Sequence, residues 1–254
     1  MIGELFSLRG RGALITGAAR GLGEAMALAL AEAGADVAAV DVQPLKAAAA
    51  IADRGVHCAE RTADLSALTP EAAAELIAWA RAELGDVSVL VNNAGTIRRA
   101  PAVETAAEDW NAVLALNLTA PFLLSQAFAR PLLADGRRGS IVNVVSMNSF
   151  SGGMHVAAYT ASKHGLLGLT RALANEWTGQ GIRVNGIAPG WMETELTRPL
   201  REDGERYDAL LARMPSGRWG TPADVAGAVV YLASEASGYV SGGFIAVDGG
   251  YLAR

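Results

Sequence analysis

Tyr159 and Lys163 stand four residues apart in a stretch of helical periodicity, which puts both side chains on one face. A phenol titrates near ~10 and is a poor base at neutral pH. An ammonium beside it favours the phenolate, and a phenolate within reach of an alcohol can accept its proton. Of 21 basic residues only Lys46 and Lys163 are lysines. Arginine serves wherever a generic positive charge will do, so a retained lysine marks a place for a compact ammonium. Lys46, on an expected surface helix, has no such task. Tyr-x-x-x-Lys is also a common surface pair, and its meaning depends on what surrounds it. Ser146 ends an apolar run upstream, where a hydroxyl can hold a substrate oxygen beside the phenol, with Asn148 close behind as a further substrate contact. Asn117 lies inside the apolar run Leu116-Asn117-Leu118. An amide there is either a satisfied structural group or part of a proton path.

A second constellation opens the chain. Thr16-Gly17-Ala18-Ala19-Arg20-Gly21-Leu22-Gly23 follows the first apolar run and leads into a helix. Glycines at those places let the backbone turn tightly and approach a pyrophosphate at the positive end of the helix dipole. Asp41 ends the second strand, where a carboxylate would accept from ribose 2′ and 3′ hydroxyls and repel a 2′-phosphate, favouring NAD. Arg20 points the other way, towards a 2′-phosphate and NADP. Asp64 and Leu65, after the third strand, suit an adenine site, and Asp64 suits an ordinary helix cap equally well. Lys163 could bind ribose hydroxyls while acting on Tyr159.

The elements that must hold these groups alternate. Strands are expected at 13–16, 37–41, 56–59, 87–91, 140–145, 183–187 and 244–247, mostly as continuous apolar runs. Helices are expected at 22–33, 44–54, 70–84, 106–134, 159–179 and 222–234, with Thr69-Pro70 and Thr221-Pro222 as starts and Gly34 and Gly85 as stops. Repeated β-α-β units imply an α/β fold, a doubly wound seven-stranded parallel sheet with helices on both faces, in a single domain over 1–254. The charged, proline-bounded stretch 191–215 breaks the rhythm and reads as a substrate lid. A formal net charge of −5 offers no field for nucleic acid. No apolar run is read as a membrane span, and the single cysteine, Cys58, suits a reducing compartment; the expected location is the cytoplasm. His57, His155 and His164 show no metal-ligand spacing.

Taken together, Thr16-Gly17-x-x-x-Gly21-x-Gly23, Asn92-Asn93-Ala94-Gly95, Asn117, Ser146, Tyr159-x-x-x-Lys163, Pro189-Gly190-x-x-x-Thr194 and Val247-Asp248-Gly249-Gly250 resemble the short-chain dehydrogenase/reductase superfamily, in order along the whole chain. The resemblance implies a Rossmann-type fold, usually tetrameric, with Asn117, Ser146, Tyr159 and Lys163 as a catalytic tetrad. It implies that Asn117 holds a water linking Lys163 to solvent, and that Asn93, Ala94 and Gly95 line a cofactor cleft. Pro189, Gly190, Met192 and Thr194 would then hold the nicotinamide. A narrower likeness, carried by Ile97-Arg98-Arg99, Ser146-Met147-x-Ser149-Phe150, Ala174-Asn175-Glu176-Trp177, Gly217-Arg218-Trp219-Gly220 and the ending Leu252-Ala253-Arg254, is to the bacterial 2-deoxy-D-gluconate 3-dehydrogenases, also called 2-dehydro-3-deoxy-D-gluconate 5-dehydrogenases. Arg98 and Arg99 would serve a sugar-acid carboxylate, or else form a solvated loop. Three readings stand at this point: an NAD-dependent dehydrogenase of a deoxy-sugar acid; an NADPH-dependent 3-oxoacyl-carrier-protein reductase or other polyol dehydrogenase; and an idle nucleotide-sensing scaffold. The scaffold would be expected to have lost Tyr159 or Lys163, and this chain keeps both.

Overall fold

In the computed structural model, which describes residues 1–253, seven parallel strands form one sheet in the order β3-β2-β1-β4-β5-β6-β7. Along the chain these are β1 (Gly12–Thr16), β2 (Asp36–Asp41), β3 (Cys58–Thr62), β4 (Val87–Asn92), β5 (Gly139–Val144), β6 (Ile182–Pro189) and β7 (Phe244–Val247). The helices are α1 (Ile2–Phe6), α2 (Gly21–Glu32), α3 (Ala48–Ala52), α4 (Pro70–Leu84), α5 (Ala107–Leu114), α6 (Ala120–Ala134), α7 (Ala157–Trp177), α8 (Arg198–Arg201), α9 (Gly204–Leu211) and α10 (Ala226–Ala233). β1, β4 and β6 are buried along their whole length, which is why they read as mostly apolar runs, with buried polar positions such as Ser88, Arg183 and Asn185 set within them. One apolar layer, with Met26, Leu30, Val225 and Leu232, covers one face of the sheet. Another, with Leu76, Leu124, Phe128 and Trp177, covers the other. The strand order reverses between β1 and β4, the switch point outside whose carboxyl ends such sheets bind ligands.

The sequence expectations hold for all seven strands, with shifts at their ends. β3 starts two residues late, at Cys58, in register with Val37. The helix expected at 44–54 shrinks to α3, and the Leu45 amide before it is held by the Glu60 carboxylate of β3. The single helix expected at 106–134 is two α-helices joined by a π-helical turn, Ala115–Thr119. By length and composition this run, 107–134, could cross a bilayer, contrary to the sequence reading; here Ala120, Leu124, Phe128 and Leu132 pack into the core.

The stretch 191–215 is not irregular chain. It folds as α8 and α9 around its own cluster of Leu200, Met214 and Trp219, with Trp191 and Tyr207 against it. Tyr207 stacks on Trp219 with ring centroids 5.6 Å apart. A bridge between Met192 and Gly220 closes its base, where the Glu193 amide donates to Gly220 and the Gly220 amide to Trp191. A Cβ on Gly220 would meet the Met192 sulfur, so a larger residue there would have to push that buried side chain aside.

Candidate active site

Four elements meet beyond the carboxyl ends of β4, β5 and β6. Ser146 follows β5 and caps a short 3₁₀ turn, Met147–Ser149. Its Oγ accepts from the Asn148 amide at 3.1 Å, and its own amide donates to Ser149 Oγ at 3.3 Å. Ser149 Oγ then donates to the Lys163 carbonyl at 2.8 Å, tying the Ser146 turn to α7. Ser149 was read in the sequence only as part of a resemblance; its reciprocal spacing with Ser146 is the capping-box signal that could have exposed this role. The Asn148 side chain lies over Gly153, where an added Cβ would come within 2.9 Å of its Nδ2.

Tyr159 and Lys163 lie one turn apart on α7, with Nζ 5.8 Å from the centroid of the phenol ring. Lys163 is buried, and Nζ donates to the Val144 carbonyl at 2.6 Å. Burial lowers its pKa to about 8. Burial also raises the Tyr159 phenol above its ordinary range, while a hydrogen bond to Ser146 and the charge of Arg99 draw it down.

Asn117 comes from the π-helical turn, a local widening that breaks the helical hydrogen-bond register and re-aims a side chain. Its Nδ2 donates to the Thr96 carbonyl at 2.9 Å and to Ser162 Oγ at 3.1 Å, and its Oδ1 accepts from the Thr96 amide at 2.8 Å. It is fully buried, and it clamps the chain after β4 to α7. Ser162, the intermediary, carries no sequence signal of its own, since one serine in a helix looks like any other.

The glycine loop lies at the switch point. Gly17 and Gly21 have φ of 66° and 60°, which favour glycine. A Cβ on Gly23 would strike the Gly17 carbonyl, and one on Gly17 would come within 2.8 Å of Ala94. Asn93 Nδ2 donates to the carbonyls of Thr16 and Gly17 at 2.9 and 2.8 Å. Thr16 Oγ1 accepts from the Asn93 and Ala94 amides, each at 3.1 Å. No sequence signal marks that latch beyond the threonine that opens the glycine motif. Gly95 abuts Asn117 Oδ1, and Gly21 faces the Thr194 methyl across the cleft, so the loop and the 191–215 segment border the same space. Pro189 ends β6, Gly190 packs tightly over Asp248, and Met192 is buried at the bridge. Leu22 packs into the core, and Leu65 is buried.

Asp41 Oδ2 accepts from the Ala19 amide at 2.9 Å and Oδ1 from Gln43 at 3.0 Å, which orients the carboxylate at the loop's edge. Arg20 is exposed. Asp64 turns to its own chain: Oδ1 accepts from Ser66 at 2.8 Å, and those bonds lower its pKa. The two neighbouring arginines part company. Arg98 meets Asp109 at 3.4 Å, whereas Arg99 reaches the Leu196 carbonyl at 3.5 Å and acts on Tyr159. Among the described residues no three His, Cys, Asp or Glu side chains gather as metal ligands. Arg254, the last residue of the C-terminal likeness, lies outside the described residues.

Residues 17–252 match the family model described as enoyl-(acyl carrier protein) reductase. The chain is also 48% identical to the 2-dehydro-3-deoxy-D-gluconate 5-dehydrogenase of Dickeya dadantii, over all of both chains. The chain belongs to the short-chain dehydrogenase/reductase family. A family member from Agrobacterium tumefaciens, provisionally titled a 2-deoxy-d-gluconate 3-dehydrogenase and holding NADP, superposes with a TM-score of 0.92 at 48% identity, covering 98% of this chain and 99% of that one. A gluconate 5-dehydrogenase of the family from Burkholderia cenocepacia, in complex with NADP and tartrate, gives 0.93 at 38% identity over the full length of both. The narrow glycine cradle, which a Cβ at position 17 or 23 would fill, fits the pyrophosphate of such a dinucleotide.

Proposed function

We propose that this chain is an NAD-preferring dehydrogenase of a deoxy-hexonate or keto-deoxy sugar acid, acting on a secondary alcohol. One observation carries the substrate class. Arg99 acts electrostatically on Tyr159, and the like charge of Arg206, from the first turn of α9, acts on Arg99. Neither arginine forms a salt bridge among the described residues, whereas Arg98 is occupied by Asp109. A guanidinium beside the phenol, with a second next to it, suits a carboxylate a few bonds from the reacting carbon. The likeness to sugar-acid dehydrogenases supports the same class.

A nicotinamide dinucleotide, when bound, supplies the two-electron acceptor or donor. Residues 17–23, 41, 93–95 and 189–194 would hold it. Tyr159 as phenolate accepts the alcohol proton in oxidation and returns it in reduction. Ser146 donates to the substrate oxygen and keeps it within reach of the phenol. Lys163 sets the charge behind the tyrosine, and Asn117 holds the 93–96 turn against α7, leaving the second lone pair of its Oδ1 for a water. The 191–215 segment closes over the substrate. The working form is a homotetramer in the cytoplasm.

Exchanging Arg99 for Leu is expected to raise KM for sugar acids by roughly 10- to 100-fold, the worth of a charge-assisted bond. KM for neutral polyols should stay within about twofold, since they bring no charge to pair. Steady-state kinetics with both substrate classes decide it. Equal effects on both classes would return Arg99 to a loop contact.

Coenzyme choice turns on Asp41, already oriented by two backbone amides. Asp41→Ala should narrow an NAD preference by roughly 10-fold or more, because a 2′-phosphate no longer meets a carboxylate. If the unaltered chain has the higher kcat/KM with NADP, the exposed Arg20 governs and the preference is reversed.

A further inference from the structure

At the end of the sheet opposite the glycine loop, an open cavity of about 300 Å³ gathers Arg11, Arg137, Arg138 and Arg183 with only Asp86 and Glu235 as counter-charges. Four guanidinium groups against two carboxylates leave an excess of two positive charges, on a chain whose formal net charge is −5. The bonds show where the excess resides. Glu235 gives one oxygen to Arg11 at 2.5 Å and the other to Arg138 at 3.3 Å, and Asp86 pairs with Arg137. Arg183 is 7% exposed and bonds no carboxylate; Glu235, already shared by Arg11 and Arg138, acts on it only at longer range. Arg183 bonds neutral groups only: the Leu232 carbonyl at 3.0 Å, Ser237 Oγ at 2.8 Å and the Ser234 carbonyl at 3.1 Å. The end of α10 offers it partial negative charge, but a buried cation without a full counter-charge favours an anion brought from outside.

A second observation points to the same ligand. Ser88 lines this cavity, is 93% buried, and its Oγ has no hydrogen-bond partner. A buried hydroxyl without a partner costs stability unless an acceptor reaches it. An oxyanion held by the guanidinium faces would be the nearest outside acceptor for Ser88, whose hydroxyl must turn towards the cavity to meet it.

We propose that this cavity is a binding site for a compact doubly charged oxyanion, carried either as a phosphate group or as two carboxylates on a small metabolite. It is separate from the candidate active site. β6 runs eight residues, about 25 Å, from Ile182 near the cavity to Pro189 near the cofactor cleft. The volume stands at the small end of those that hold small ligands, which excludes a dinucleotide. The strands whose first residues border the cavity lead at their far ends to Asn93, Ser146 and Pro189, so an anion there would brace the sheet beneath the site.

The test titrates inorganic phosphate and, separately, malonate into the full-length chain, with chloride matched for ionic strength, and follows Tm and binding heat. A saturable rise in Tm over the chloride control is expected with at least one of them. Phosphate alone would identify a phosphorylated ligand, malonate alone a dicarboxylate, and both would mean recognition by charge. Arg138→Gln should weaken binding by about tenfold or more, and its largely exposed side chain makes the substitution safe for folding. Ser88→Ala, which removes one oxygen from the wall, should weaken it severalfold. Both variants should keep the kcat/KM of the parent in the absence of added anion. Because both changes lie far from the glycine loop, weaker binding in them also excludes that loop as the anion's seat. No saturable rise with either anion, or an unchanged rise in Arg138→Gln, would overturn the proposal.

Discussion

Tyr159→Phe is expected to lower kcat by roughly 10²–10⁴-fold, the span of a positioned acid or base, while NADH binding changes little. The ring and its packing remain, and only the proton carrier is gone. Burial raises this phenol, and two neighbours oppose the rise, the Ser146 hydroxyl and the Arg99 charge. Their directions predict the pH behaviour. Oxidation needs the phenolate, so its rate should climb with pH through the tyrosine pKa. Removing Ser146 or Arg99 takes away a cause that lowers that pKa, so the limb should move to higher pH in Ser146→Ala and Arg99→Leu. Reduction starts from the protonated phenol, and its rate near pH 7 should not follow that limb. Coenzyme titration by fluorescence, paired with pH–rate profiles in both directions, makes the check. If Tyr159→Phe kept a large part of kcat with an unchanged profile, the proton would have to pass through another group.

Lys163→Met should separate stability from activity. The ammonium is buried and its pKa falls from 10.5 to about 8, a shift worth about 3 kcal/mol against the charged form. Losing the bond to the Val144 carbonyl offsets about 1 kcal/mol or more of that. A net gain of about 1–2 kcal/mol would raise Tm by roughly 2–8 °C in a chain of this size. Between pH 8 and 10.5 the unfolded chain carries a proton that the folded chain has released, so wild-type stability gains as pH rises through that window. The Met variant lacks the titration. Its advantage should therefore be full below pH 8 and close towards pH 10.5. Activity should move the other way, with kcat falling by roughly 10²–10³-fold once the charge behind Tyr159 is lost. Thermal melts across pH beside kinetics would read both. A Met variant less stable than the parent at pH 7 would mean that the lysine's contacts outweigh the cost of burying it.

Much of this molecule was legible before any coordinates, because its signals are local. Parallel strands covered on both faces are mostly apolar, so β1, β4, β5 and β6 were visible despite buried polar positions such as Ser88, Asn143 and Arg183. A four-residue helical spacing puts Tyr159 and Lys163 on one face whatever the rest of the fold does. The glycines at 17, 21 and 23 announced a tight turn, and the structure bears this out through Cβ clashes at 17 and 23 and a positive φ at 17 and 21. The tertiary structure decided what depends on residues distant in the chain. Arg98 and Arg99 are indistinguishable as text, yet a salt bridge to Asp109 takes one and the phenol's surroundings take the other. The π-helical turn at Asn117 has no sequence period, and its amide finds its partners, Thr96 and Ser162, only on two other elements. Nor could composition reveal four arginines around one cavity. Those side chains leave β6, the residue before β1 and the turn before β5, and only the parallel sheet, by aligning the first residues of its strands, brings their charges together at one end.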